Sequence, residues 1–294
     1  MNTTSARHGS ATGQPTFVLV HGAACNSRVW GPLQRELALL GHRSLALDLP
    51  GYGAHARHSA SYYQAPQALE ALAEEPSAQA GITLADWEEH VVDTVRRVAE
   101  HGPVVLVGTS AGGMALNVAG NAAPELVDRL VYVSAWCCAG ISTMSEGMAW
   151  PEQEANLFDE VPFPMLGYST ELGFARSNLR TADPALFARM KAALMADADD
   201  DRFREFVDLM EPDVNTATSG EDCQVRSETW GTIPRSYVRL TEDRAITLAT
   251  QDRMIAEADA LTPDNPFDVH SVETSHAGFF HRPAEFARIL GALA

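Results

Sequence analysis

Pro103-Val-Val-Leu-Val-Gly-Thr-Ser-Ala-Gly-Gly-Met-Ala-Leu116 passes from strand periodicity to helix periodicity across a single serine, Ser110. Val104 to Val107 form an unbroken apolar run between Pro103 and Gly108, the pattern of a strand buried on both faces. From Ala111 to Ala123 small residues open a helical pattern that Pro124 closes. Gly108 and Gly112 flank the serine as G-x-S-x-G, a spacing that lets strand and helix backbones cross closely around a strained turn. Such a turn aims the hydroxyl out of the sheet, at a helix N-terminus whose free N–H groups favour developing negative charge. The five residues alone also fit an ordinary glycine-rich turn with a capping serine, so their weight comes from the surrounding chain.

Toward the N-terminus, Phe17-Val-Leu-Val-His-Gly22 is a second buried strand run, ending in a turn with Ala23 and Ala24. Apolar residues at Trp30, Leu33, Leu37 and Leu40 predict a helix that Gly41 stops. Ser44 to Leu49 is another strand followed by a Pro and Gly turn, and the three pieces make a βαβ unit. From Ala54 to Gly81 the chain is rich in Ser, Gln, Ala and Glu with weak periodicity, an excursion over the surface that is partly helical around Pro66 to Glu75. Thr83 opens a clearer helix: it can cap, Asp86 stands three residues on, and Trp87, Val91, Val95 and Val98 keep one stripe.

Toward the C-terminus, Leu130 to Trp136 is a further parallel strand, and then the rhythm breaks. Residues 137–230 hold several prolines, helical patches at Leu186 to Leu194 and Arg202 to Met210, and many aromatic and methionine side chains, which reads as a mainly helical cap over the ligand-binding edge of the sheet. Regular alternation returns with a strand at Arg235 to Leu240, a helix at Ile246 to Ala258, a strand at Phe267 to Val272 and a helix at Ala284 to Leu293. The βα order predicts a mostly parallel, doubly wound α/β sheet, with residues 15–136 and 231–294 as its core and 1–14 as a disordered leader.

Acidic residues number 39 against 21 basic ones, a net charge of −18 with no basic cluster. That balance argues against nucleic-acid or anionic-membrane partners and disfavours strongly anionic substrates. No apolar run is long enough to span a bilayer, and the leader lacks the apolar stretch of a secretion signal. The four cysteines show neither metal-site nor disulfide spacing, which favours a reducing cytoplasm.

A serine alcohol needs a base to take its proton and an acid to hold that base in the right tautomer. Distant segments converge only where parallel strands end. Ser110, Asp243 and His276 each follow such a strand, in the chain order serine, aspartate, histidine. Glu242 competes with Asp243, and His281 competes with His276; His276 directly follows the turn, while His281 precedes Pro283 at a helix start. The tetrahedral intermediate also needs two N–H donors. Ala111 supplies one, and the turn after the first strand supplies the other, Ala23 before Ala24.

Four stretches, His21-Gly-Ala-Ala-Cys-Asn-Ser-Arg-Val-Trp30, Leu45-Ala-Leu-Asp-Leu-Pro-Gly-Tyr-Gly53, Gly108-Thr-Ser-Ala-Gly-Gly113 and Tyr237-Val-Arg-Leu-Thr-Glu-Asp-Arg-Ala-Ile246, resemble the α/β-hydrolase branch that contains plant methyl esterases and hydroxynitrile lyases. The resemblance covers most of the core and not the cap. It implies an α/β-hydrolase fold and, by the aspartate of the D-x-x-I turn and the histidine ahead of the last helix, supports Asp243 and His276 as the partners of Ser110. Thr109 stands where that family usually has histidine, so substrate identity does not carry over. Lyases of the branch place a polar residue at the position of Gly22, and some a lysine at that of Ala277, so this chain is closer to the esterases.

The expectation is a serine hydrolase acting on a small or medium apolar ester, a methyl ester or a lactone, without metal or cofactor. Trp136, together with Trp150, Phe158, Phe163 and Tyr168, is expected to supply an apolar pocket. Two rivals share the fold: a lyase or cyclase using His276 as general base, and a binding protein whose triad is vestigial.

Overall fold

The computed structural model describes residues 13–161 and 163–294, so the expected leader lies outside the described residues except for its last two. Six strands pair in parallel: β1 (Thr16–Val20), β2 (Arg43–Leu47), β3 (Val104–Ser110), β4 (Arg129–Ala135), β8 (Arg235–Leu240) and β9 (Asp268–Val272), in the order β2-β1-β3-β4-β8-β9. Three short strands, β5 (Met165–Ser169), β6 (Phe174–Ser177) and β7 (Asp213–Asn215), form a separate antiparallel sheet.

The apolar runs of the central strands are explained by burial on both faces. Phe17 and Leu19 of β1, with Val105 and Val107 of β3, pack on one side against α1 (Gly31–Leu39). Val18 and Val20, with Val104 and Leu106, pack on the other against α2 (Leu84–Ala99) and α3 (Gly112–Ala122). At the two edges the strands are partly exposed, as Leu45 of β2 and Val269 of β9 show. The capping box expected at Thr83 is formed: the Asp86 N–H donates to Thr83 Oγ1 at 3.3 Å and the Thr83 N–H to Asp86 Oδ2 at 2.8 Å.

Between β4 and β8 the helical patches become α4 (Pro184–Leu194) and α5 (Asp200–Leu209). The small sheet β5-β6-β7 was not legible, because its strands are too short and too polar to show a period of two. Its anchor is buried Arg176, which pairs with Asp213 at 2.6 Å and donates to the Leu72 and Glu75 carbonyls at 2.5 and 2.8 Å. The excursion at 54–81 thus braces the inserted segment from below. Among the described residues no helix is long and apolar enough to cross a membrane.

The sheet positions the site through one irregularity. Opposite the β3–β4 register shift, Thr109 faces Val133 and Ser110 faces Ala135, so Ser134 is bulged out. Ser110 and Ser134 both have positive φ, +53° and +39°, which places two serines in the left-handed region at the ends of neighbouring strands β3 and β4. Helix α3 starts against the end of β1: a Cβ on Gly112 would lie 2.7 Å from the His21 carbonyl oxygen and 2.9 Å from that of Val20. Gly112→Ala is therefore expected to lower the unfolding free energy by about 2 kcal/mol or more, read as a lower urea midpoint; an unchanged midpoint would show that the crossing tolerates a methyl group.

Candidate active site

Asp243 follows β8 and His276 follows β9, and both are buried. His276 Nδ1 lies 2.6 Å from Asp243 Oδ2. The carboxylate is held from three other directions: Oδ1 accepts the N–H groups of Ala245 and Ile246 at 2.7 and 2.9 Å, and Oδ2 accepts the Ser134 hydroxyl at 2.6 Å. With an acceptor facing Nδ1, the neutral imidazole carries its proton there and presents Nε2 as a base. Ser110, half-buried at the elbow, lines the same cavity as His276. Its hydroxyl makes no hydrogen bond among the described residues; contacts of this kind commonly tighten when a substrate is bound.

The two rivals are placed elsewhere. Glu242 is exposed and does not line the cavity. His281 Nε2 contacts Asp197 Oδ1 at 3.1 Å and the Thr274 hydroxyl at 3.2 Å, and burial lowers its pKa. Asp197 also accepts the hydroxyls of Thr274, at 2.7 Å, and Ser275, and the Ser275 N–H at 3.3 Å. Burial opposes its charge, yet hydrogen bonds from Ser275 and Thr274 hold its carboxyl below the usual value. The Ala277 N–H adds a bond to the Leu194 carbonyl at 2.8 Å. The inserted segment thus grips the turn carrying His276 on both sides.

Ala111 is the residue before the first turn of α3, and its N–H is unused within the described chain. Ala23 and Ala24 both line the cavity, and neither N–H has a hydrogen-bond partner among the described residues, so the turn keeps both as candidate donors. The turn is fixed by His21. Its Nε2 accepts the Leu49 N–H at 3.0 Å, so Nδ1 carries the proton and donates to the Gly22 carbonyl at 2.8 Å. Burial drives the His21 pKa down to about 4, partly offset by the Gly22 carbonyl and by Asp48, so the ring is neutral.

The cavity measures about 300 Å³. Trp136, Phe158 and Phe163 line it as expected; Trp150 and Tyr168 do not, Trp150 stacking under Arg253 and Tyr168 lying exposed on β5. Cys25 is a second nucleophilic atom on the wall, but burial pushes its thiol up to about 12, so it stays protonated. Among the described residues no group of three or more His, Cys, Asp or Glu side chains is arranged to hold a metal ion. The sequence assigns no role to Ser134, Asp197 or His21, because their partners are 109, 78 and 28 residues away.

Residues 17–289 match the alpha/beta hydrolase family, and the chain belongs to it. Among its relatives is the polyneuridine aldehyde esterase of Rauvolfia serpentina, 23% identical over 295 residues and covering 96% of each chain. Another is a putative chloroplastic methylesterase, number 14, of Arabidopsis thaliana, 22% identical over 93% of this chain and 70% of its own. Plant esterases are thus the branch the sequence motifs pointed to. Of solved structures, a pyrethroid hydrolase superposes with a TM-score of 0.70 at 18% identity, covering 95% of this chain and 97% of that one, a likeness of fold.

A neutral buried histidine makes stability depend on pH. Because the His21 pKa falls from 6.5 in the unfolded chain to about 4 in the folded one, protonation favours unfolding. Its contribution is complete above pH 6.5 and is lost as pH falls toward 4, about 3 kcal/mol in all. His90 and His281, also lowered by burial, act in the same direction, so the comparison needs His21→Gln, which keeps a donor and an acceptor. Urea unfolding across that window is expected to fall less steeply for the variant; parallel curves would remove His21 from the account.

Proposed function

We propose that this chain is a carboxylic-ester hydrolase of the serine type, working through an acyl-enzyme on an ester with apolar groups, a methyl ester or lactone among the candidates. Its organisation is a core of residues 15–136 and 231–294 with a cap at 137–230. Ser110 attacks the carbonyl carbon, His276 Nε2 takes the hydroxyl proton and returns it to the leaving alcohol, and Asp243 holds the imidazole in the required tautomer. The N–H groups of Ala23 and Ala111 receive the oxyanion, with the N-terminus of α3 behind them. Water, activated by the same histidine, then releases the acid.

The observation that carries this reading is the 2.6 Å contact between His276 Nδ1 and Asp243 Oδ2, on a cavity that also holds the strained Ser110. An imidazole whose Nδ1 is held by a fully hydrogen-bonded carboxylate has its Nε2 left to accept a proton. The relatives named as esterases support the same chemistry. Against a lyase speaks Gly22: a side chain there would begin 3.4 Å from Ser110 Oγ, so the polar group that lyases of this branch carry has no counterpart beside the nucleophile. Ala277 likewise offers no ammonium group next to His276.

Ser110→Ala is expected to reduce kcat on a chromogenic short-chain ester by roughly a thousandfold or more while leaving the fold intact by circular dichroism. Wild-type protein quenched during turnover should carry one acyl group on the peptide containing Ser110 by mass spectrometry. Undiminished turnover by the variant would overturn the assignment, and turnover without any acylated peptide would favour the general-base lyase or cyclase.

A further inference from the structure

The wall of the cavity is apolar over most of its extent and carries no lysine or arginine. Apart from His276 and the protonated Cys25, its ionisable side chains are Asp159 and Glu211. Asp159 is exposed, but Glu211, just after α5, is only 7% accessible. Glu211 has hydrogen-bond donors on one oxygen only, and the other is not among the fully enclosed atoms, so it stays open to an incoming donor. Oε1 accepts the Asn26 side-chain amide at 2.9 Å and the Gly53 N–H at 2.8 Å; Oε2 has no hydrogen-bond partner among the described residues.

The Glu211 side chain is held through its other oxygen and its backbone. Asn26 is fully buried and spends its second amide contact on the Leu209 carbonyl at 2.9 Å, which fixes the rotamer that serves Glu211. The Glu211 N–H in turn donates to the Ala24 carbonyl at 2.8 Å, so the side chain is pinned to the turn that carries the Ala23 donor. Burial raises the Glu211 pKa, partly offset by the Gly53 and Asn26 bonds and by the charges of His58 and Arg28. A ligand bearing a positive donor would repay that desolvation, whereas one bearing a carboxylate would meet Glu211 and Asp159 on a wall lined by neither lysine nor arginine.

We propose that Glu211 Oε2 is a recognition point for a protonated amine, so that the preferred substrates are apolar esters carrying a basic nitrogen, and esters carrying a second carboxylate are rejected. The inference deepens the hydrolase reading and rests on it for turnover, but binding at Glu211 does not need chemistry at Ser110.

The test uses p-nitrophenyl alkanoates of several chain lengths ending in dimethylamino, in its isopropyl carbon isostere, or in carboxylate. Methyl ketones of the same three series, which present a carbonyl but no leaving group, serve as binding probes. At the best chain length, wild-type protein should favour the amine over its isostere by about tenfold or more in kcat/KM, mainly through KM, and in ketone affinity by calorimetry. The carboxylates should be the poorest of the three. Glu211→Gln keeps an oxygen for Asn26 and Gly53 and puts an NH2 group where Oε2 stands, so the preference should vanish or invert.

A wild-type amine-to-isostere ratio near one at every chain length, or a ratio that survives in the variant, overturns the proposal. Should the variant fail to fold, the wild-type ratios alone decide, since the isosteres differ only at the charged atom. If no ester is turned over while the amine ketones still bind preferentially, the hydrolase reading fails and the Glu211 site stands.

Discussion

The Asp243 carboxylate, with four donors around its two oxygens, is the point on which the candidate site depends. Two of those donors come from the backbone of its own turn, one from the bulged Ser134 at the end of β4, and one from His276 beyond β9. Three chain segments that meet only because their strands are neighbours in a parallel sheet are thereby locked to one another. A buried carboxylate fixed by several hydrogen bonds at once has little freedom to turn, so this cluster orients the imidazole more firmly than a single contact would.

The inserted segment does more than line the cavity. Asp197 and the Leu194 carbonyl grip Thr274, Ser275 and Ala277, the residues on either side of His276. On the opposite wall Glu211 is bonded to Ala24 and Gly53, next to the turn that offers the Ala23 N–H. The segment itself is braced by Arg176, whose guanidinium joins the small sheet to the 54–81 excursion. The positions of His276 and of the Ala23 turn are thus coupled to the residues that line the pocket, so in the proposed hydrolase a change within residues 137–230 would alter chemistry as well as selectivity.

The core was legible because its physics is local. Buried parallel strands must be continuously apolar, the elbow demands glycine where backbones cross, and the Thr83 capping box is written in four consecutive residues. The elements expected around Trp30, Thr83, Ala111, Arg235 and Ala284 stand within a few residues of their places. What escaped has non-local causes. The strands β5 to β7 are held by a buried arginine instead of by alternating side chains, and the excursion at 54–81 acquires a role only through partners far along the chain, Arg176 and Asp213 and Asn178 among them. Ser110, Asp243 and His276 follow from strand ends and motif order, whereas Ser134, Asp197 and Glu211 sit in segments where nothing local distinguishes them from ordinary polar residues.

The central claim is that one cavity brings a serine nucleophile, an imidazole base and two backbone donors to a single reacting carbon. It is tested most directly by a crystal structure of the protein after treatment with a p-nitrophenyl alkylphosphonate. The account predicts a phosphorus atom bonded to Ser110 Oγ, one phosphoryl oxygen within hydrogen-bond reach of the Ala23 and Ala111 N–H groups, and His276 Nε2 facing an oxygen of the adduct while Nδ1 keeps its bond to Asp243. An unmodified Ser110, or an adduct whose oxygen points away from both amides, would contradict it.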